Sequence, residues 1–180
     1  MKKILFPLLI LSFNSFAYNR EADYGGWQDY DGDCQDTRAE VLISRSLSQV
    51  EFSRSDNCYV KTGKWIDYYT GKTYTNAKDV QIDHLISLKQ HYEAIGSTLT
   101  HAQRVEYANN PAHLVIANST LNMSKSDKDL SEFIFRVTPQ NKCKYIKDYK
   151  KIADANNITL DKSDNEAINQ NPACFKANNQ

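Results

Sequence analysis

The chain has 180 residues, with 22 basic and 22 acidic side chains and a formal net charge of zero. A general excess of positive charge, the usual mark of a nucleic-acid-binding chain, is therefore excluded, and any phosphate-binding surface must be local. The length fits one compact domain, and beyond the N-terminus no apolar run is long enough to cross a bilayer.

Residues 1–17 have the pattern of a secretory signal peptide. Two lysines precede an apolar run over residues 4–11, and small residues, the last of them Ala17, come before the sequence turns polar. The apolar run is well short of the roughly 20 residues needed to span a bilayer. We therefore expect cleavage after about Ala17 and export, to the periplasm or beyond, of a monomeric mature chain, residues 18–180, that is not attached to a membrane.

Four cysteines follow this segment, Cys34, Cys58, Cys143 and Cys174. An even number in an exported chain favours two disulfides over a metal site, and no CxxC pair is present. Three pairings are possible for four cysteines. Proximity in the sequence favours Cys34 with Cys58 and Cys143 with Cys174.

The first predicted element of the mature chain is a helix from Thr37 to about Leu47. Thr37 followed by Glu40 matches a capping box, in which side chains and backbone at the helix start bond reciprocally. Apolar residues at helical spacing, including Ala39 and Leu42, predict a buried face.

Between residues 50 and 83 the pattern changes to short β-type runs with turn signals at Asp56–Asn57, Thr62–Gly63 and Thr70–Gly71. This pattern predicts one small antiparallel sheet. The predicted strands are Val50–Ser53, Tyr59–Lys61, Trp65–Tyr69 and Val80–Asp83.

Helices and one short strand are predicted after this sheet. Ser119 is suited to cap a helix, and Thr138 with Pro139 is suited to begin another, in which Tyr145, Tyr149 and Ile152 share a face. The other predicted elements are helices over Leu85–Ile95 and His101–Ala108 and a strand over Leu114–Ala117.

Asp83 and His84 are the strongest candidates for chemistry. A carboxylate is a hard oxygen ligand suited to Mg²⁺, and a neutral imidazole can accept a proton from water near neutral pH. About thirty residues later, the sequence predicts a turn, a short strand and a polar helix that presents Asn122. A strand ending in Asp-His, a second strand and a helix carrying Asn form a ββα arrangement that can close an oxygen-rich metal site.

These segments resemble the HNH (His-Me finger) endonucleases, in an exported subgroup whose pattern runs DHLVPL, FANDPxNL and NRSKGD. The matching segments here are DHLISL from Asp83, YANNPAHL from Tyr107 and NMSKSD from Asn122. Upstream, WQDYDGDCQDTRAEVL and GKWIDYYTGKTY also resemble that subgroup, so the similarity covers most of residues 27–133. It implies an α+β domain with a ββα-metal core at residues 80–130, a small antiparallel sheet and flanking helices.

The resemblance implies that His84 activates the attacking water and that Asp83 and Asn122 hold a divalent ion, Mg²⁺ first and Mn²⁺ as the alternative. The implied activity is hydrolysis of phosphodiester bonds in DNA, with RNA as a second substrate and little sequence preference. The chain departs from the family at His113, where the family has an Asn that orients the base. His113 either keeps that role through a hydrogen bond or is a surface residue, with Asn110 or Asn118 taking the role instead.

Arg38 and Lys125 are the predicted contacts to substrate phosphate. Arg38 lies at the start of the first predicted helix, and the alternative is a salt bridge within the cluster formed by Asp33, Asp36 and Glu40. The rival interpretation of the whole chain is a non-enzymatic exported protein that keeps the HNH fold and binds nucleic acid or a protein partner. The departure at His113 is its main support.

Overall fold

The computed structural model describes residues 17–176, so the predicted signal peptide lies outside the described residues except for Ala17. Within that range five strands and eight α-helices form an α+β fold with two disulfides. The strands are β1 Glu51–Phe52, β2 Val60–Ile66, β3 Thr73–Asn76, β4 Val80–His84 and β5 Leu114–Asn118. The helices are α1 Arg20–Tyr24, α2 Thr37–Ser44, α3 Leu88–Ala94, α4 His101–Asn109, α5 Ser119–Lys125, α6 Leu130–Phe133, α7 Pro139–Ala155 and α8 Lys162–Asn169.

The first sheet has the order β1-β2-β3 and is antiparallel. The predicted turn at Thr62–Gly63 is wrong, because both residues lie inside β2. Gly63 is required there by packing, since a Cβ on this residue would lie 2.5 Å from the ring of Trp65. Trp65 is fully buried, and its indole Nε1 donates to the carbonyl oxygen of Leu42 in α2 at 2.7 Å.

The second sheet pairs β4 with β5, which is more than thirty residues away along the chain. The prediction of one sheet over residues 50–83 is therefore wrong, since its last strand belongs to a different sheet. In the register Ile82 lies opposite Ile116 and His84 lies opposite Leu114. The helix α5 follows β5 directly and packs on both strands, which gives the local order strand, strand, helix.

Helix starts differ from prediction in three cases. The helix predicted from Leu85 begins at Leu88. Asn118, and not Ser119, caps α5, because the Asn118 side chain accepts from the backbone N–H of Leu121 at 3.1 Å. Asp36, and not Thr37, caps α2, because the Asp36 carboxylate accepts from the backbone N–H of Ala39 at 2.9 Å. The helix predicted from Pro139 is confirmed, and the three residues of its predicted inner face are all buried. The C-terminal helix α8 was not predicted from its Asn-rich sequence.

The two predicted disulfide pairings are confirmed, Cys34 with Cys58 and Cys143 with Cys174.

The two-stranded sheet formed by β4 and β5 separates two hydrophobic clusters, because side chains alternate between the faces of a strand. Ile82 and Ile116 face the smaller cluster, which includes Trp65, whereas Val115 faces the larger one. The larger cluster also holds Tyr69, Phe133, Tyr145 and Tyr149.

Candidate active site

The end of β4 places Asp83 and His84 on opposite faces of the two-stranded sheet. The Asp83 carboxylate contacts Tyr69 and Lys125, on the side of the larger cluster and α5. The His84 ring contacts Trp27, which packs against the smaller cluster. The two side chains therefore flank the terminus of the strand, and a ligand that reaches both has to lie across it.

The ring of His84 is held in one orientation and one tautomer. Its Nε2 lies 2.8 Å from the carbonyl oxygen of Ala108, and a carbonyl can only accept, so Nε2 carries the proton and Nδ1 has the lone pair. Burial lowers the pKa of His84 to about 3, despite the opposing effect of the Ala108 hydrogen bond. The imidazole is therefore neutral at physiological pH, as a general base must be.

His84 is buried, with 6% of the residue exposed. Among residues 17–176 its Nδ1 has no hydrogen-bond partner. A water molecule at this nitrogen is the expected hydrogen-bond partner.

Trp27 packs against one face of the His84 ring. Its indole stacks on the His84 ring with the planes within 5° of parallel and the centroids 5.4 Å apart. The next residue, Gln28, is tied to α4, since its backbone N–H donates to Asn109 Oδ1 at 2.9 Å. Thr37 N–H in turn donates to the Gln28 carbonyl at 2.8 Å. The segment before α2 is thus fixed to the helix whose Ala108 carbonyl holds His84.

Both oxygens of the Asp83 carboxylate accept a hydrogen bond. The hydroxyl of Tyr69 donates to Oδ2 at 2.5 Å, and Lys125 Nζ lies 3.2 Å from Oδ1. Lys125 is fully buried, and its ammonium also donates to the carbonyl oxygen of His84 at 2.9 Å. Burial, followed by the nearby Asp83 charge, raises the pKa of Tyr69 well above its usual range, so the phenol stays a donor.

The donor set around Asp83 fits a hard divalent cation. Each carboxylate oxygen has two lone-pair sites and uses one, so one remains on each. Asn122 lies one turn before Lys125 on α5 and so shares the helix face that meets β4. Within the described chain the Asn122 carboxamide has no hydrogen-bond partner. One carboxylate and one carboxamide suit Mg²⁺, which keeps several waters.

His113 is buried, so its predicted alternative as a surface residue does not hold. Nδ1 donates to the carbonyl oxygen of Tyr107 at 3.0 Å, and Asn156 Nδ2 donates to Nε2 at 3.1 Å. Both ring nitrogens are thus used without a bond to His84. The backbone carbonyl of Ala108 is the group that orients His84, and a backbone group leaves no sequence signal.

The two predicted phosphate contacts lie apart from each other. Arg38 donates from Nη2 to the carbonyls of Ala77 and Val80, at 3.3 and 3.5 Å, at the start of β4. Four residues of strand, about 13 Å, separate that point from His84. Lys125 is beside Asp83, but its ammonium is enclosed and committed to internal partners. As phosphate contacts, both residues stay predictions.

Two other acidic clusters occur in the described part of the chain, and neither includes Asp83. Asp29, Asp31 and Asp33 are exposed in the loop before α2. The second cluster is formed by Asp129, Asp161 and Asp164 and includes the N-cap residues of α6 and α8.

No helix within residues 17–176 is both long and apolar enough to cross a membrane.

Comparison with known proteins gives one relative of limited extent. No family model matches the chain, and no solved structure matches it. A protein of Arthroderma benhamiae named as an uncharacterized secreted protein is 30% identical over 114 residues. The aligned region covers 62% of this chain and 53% of that protein, so the chain spans about half the length of the curated relative it matches.

Proposed function

We propose that this protein is an exported, metal-dependent endonuclease of the HNH type that hydrolyses phosphodiester bonds. DNA is the expected substrate and RNA the second, with little sequence preference. The observation that carries the proposal is the state of His84. It is neutral, fixed in one tautomer by Ala108, and presents an unprotonated Nδ1 at the end of the strand that carries Asp83.

In this mechanism a water molecule donates a hydrogen bond to His84 Nδ1 and gives up its proton there as it attacks phosphorus. Trp27 and the Ala108 carbonyl keep the ring from rotating, so the lone pair stays directed at the water. The attack breaks the bond between phosphorus and the leaving oxygen, which takes a proton from solvent water. The imidazolium formed at His84 is the state that burial disfavours, and it gives its proton back to solvent.

Asp83 and Asn122 are the residues that would hold the divalent ion. The Asp83 side chain lies on the face of the two-stranded sheet opposite to the His84 ring. When bound, the ion supplies positive charge to the phosphate and to the leaving oxygen. The position of these ligands across the strand end from His84 is consistent with attack and departure on opposite sides of phosphorus. His113 supports this site by packing and by the bond from Leu85 N–H to its carbonyl oxygen.

Secretion is part of the proposal. It is supported by the signal-peptide pattern in residues 1–17, by the two disulfides, and by the name of the relative in Arthroderma benhamiae. Disulfides persist in oxidising compartments outside the cytosol. The mature protein is proposed to act as a soluble monomer.

The test is cleavage of plasmid DNA and of RNA by the mature protein with Mg²⁺ or Mn²⁺, with EDTA, and with the variant His84→Ala. The matched control is His101→Ala, which removes an exposed histidine from α4. We expect cleavage that needs the metal, falls by at least a hundredfold in His84→Ala and is unchanged in the control. Cleavage that persists in His84→Ala would refute the assigned base.

The second candidate function is a non-enzymatic binding protein with the same fold. The observation that favours it is the Asp83–Lys125 pair, which satisfies the carboxylate with an internal cation. Absence of cleavage with every divalent ion, together with retained binding of labelled DNA or RNA, would support this candidate over the nuclease.

A further inference from the structure

The loop between β2 and β3 carries a buried tyrosine whose hydroxyl reaches the candidate metal ligand. Tyr69 is fully buried, and its only polar side-chain atom donates to Asp83 Oδ2 at 2.5 Å. The neighbouring Tyr68 is half-buried, and its hydroxyl donates instead to Asp148 in α7 at 2.8 Å. Two adjacent residues of the same type thus have different partners.

The backbone of this loop is fixed from three sides. Asp67 is fully buried and accepts at Oδ2 from Thr70 N–H, at 2.8 Å, which closes the loop. Its Oδ1 accepts from Asn118 N–H, also at 2.8 Å, which ties the loop to the end of β5. Thr138, just before α7, donates its N–H to the Tyr69 carbonyl at 3.0 Å.

The ring of Tyr69 is fixed as well. It packs edge-to-face against Phe133, with the centroids 5.0 Å apart, and against Tyr145 at 5.6 Å. With both backbone and ring immobilised, the hydroxyl has one position relative to β4. Little conformational entropy is lost when the Tyr69 hydroxyl bonds to a carboxylate, because packing has already ordered the side chain.

We propose that Tyr69 is a positioning residue that sets the orientation of the Asp83 carboxylate for metal binding. This inference rests on the proposed function. Lys125 holds the other oxygen from α5, so donors from two separate elements fix the plane of the carboxylate. With its plane fixed, the carboxylate keeps its free lone pairs in one direction. Hydrogen-bond partners of metal ligands contribute to affinity in this way.

The test uses Tyr69→Phe, which removes only the hydroxyl, and Tyr68→Phe as the matched control. Binding of Mn²⁺ alone to each mature protein is measured by electron paramagnetic resonance, and a thermal melt checks folding. We expect Tyr69→Phe to melt within a few degrees of the wild type and to bind Mn²⁺ about tenfold more weakly. The control should bind as the wild type does.

A second measurement separates positioning from a general loss of structure. In cleavage assays at saturating substrate, added Mn²⁺ should restore much of the activity of Tyr69→Phe, because the ligand is misoriented and still present. Equal Mn²⁺ affinity in Tyr69→Phe and wild type would overturn the inference and leave the proposed function standing. Failure of the wild type to bind Mn²⁺, with Asp83→Asn indistinguishable from it, would overturn both.

Discussion

Acid should destabilise this protein through histidines that are buried in the neutral form. Burial lowers the pKa of His84 to about 3 and that of His91 to about 4, from 6.5 in an unfolded chain. Burial lowers the pKa of His113 as well. The unfolded state therefore binds more protons below pH 6.5, and the stability present above that pH is lost as the pH falls toward 4.

The magnitude follows from the size of the shifts. Each pH unit below 6.5 costs about 1.4 kcal/mol for a histidine that stays neutral when folded, so at about pH 5 His84 and His91 together cost about 4 kcal/mol. Burial raises the pKa of Asp164 to about 6, and this carboxyl binds a proton in the folded state, which returns about 1 kcal/mol at that pH. The net loss from these three groups between about pH 8 and pH 5 is about 3 kcal/mol, and the lowered pKa of His113 adds to it.

Urea unfolding at a series of pH values measures this loss as a change in the free energy of unfolding. The variant His91→Gln removes one of the buried titrating groups, which stacks on Tyr107 and contacts the Tyr24 hydroxyl. We expect its loss over the same pH range to shrink to about 1 kcal/mol. The exposed His101→Gln should behave as the wild type. A flat pH profile in the wild type, or an unaltered one in His91→Gln, would refute the reasoning.

Three other outcomes are expected. Reduction of the Cys143–Cys174 disulfide, which spans 31 residues, should cost about 4 kcal/mol, and an unchanged melting temperature in a reductant would contradict this. Gly63→Ala should lower the free energy of unfolding by about 2 kcal/mol, because the added Cβ meets the Trp65 ring, and wild-type stability in urea would disprove the clash. Trp27→Ala should reduce turnover about tenfold with KM nearly unchanged, whereas a change in KM alone would assign this indole to substrate binding.

The sequence predicts the parts of this fold that depend on local patterns. The strand ending at His84, the strand from Leu114 and the inner face of the helix from Pro139 are all observed close to their predicted positions. Each is marked by periodicity or by a boundary residue such as proline. Pairing of cysteines by proximity also succeeds, because each disulfide closes a short stretch of chain.

The errors concern tertiary packing and the pairing of distant strands. Gly63 looks like a turn residue, but the Trp65 side chain beside it requires a residue without a Cβ within the strand. Local pattern assigned β4 to the sheet formed by its neighbours in the sequence, whereas its partner β5 comes after two intervening helices and was indicated only by the ββα arrangement. Propensity describes what a segment can form, whereas the pairing of strands depends on the whole core.

The candidate site was also predicted only in part from the sequence. Asp83, His84 and Asn122 carry the resemblance, and their types are visible in the sequence. The groups that hold them are less visible. Ala108 acts through a backbone carbonyl, which any residue could supply. Trp27 and Tyr69 lie within matched upstream segments, yet only the structure connects them to His84 and Asp83.

The anchoring of the N-terminal segment has a consequence for how the protein folds. The bond from Gln28 to Asn109 joins residues 81 positions apart, and Trp27 stacks on His84, which lies 57 positions further along the chain. Closing such a long loop is entropically costly, so contacts of this separation tend to form late. The first segment of the mature chain to be synthesised is therefore expected to be among the last to dock, and His84 would gain its stacking partner only when most of the domain has already folded.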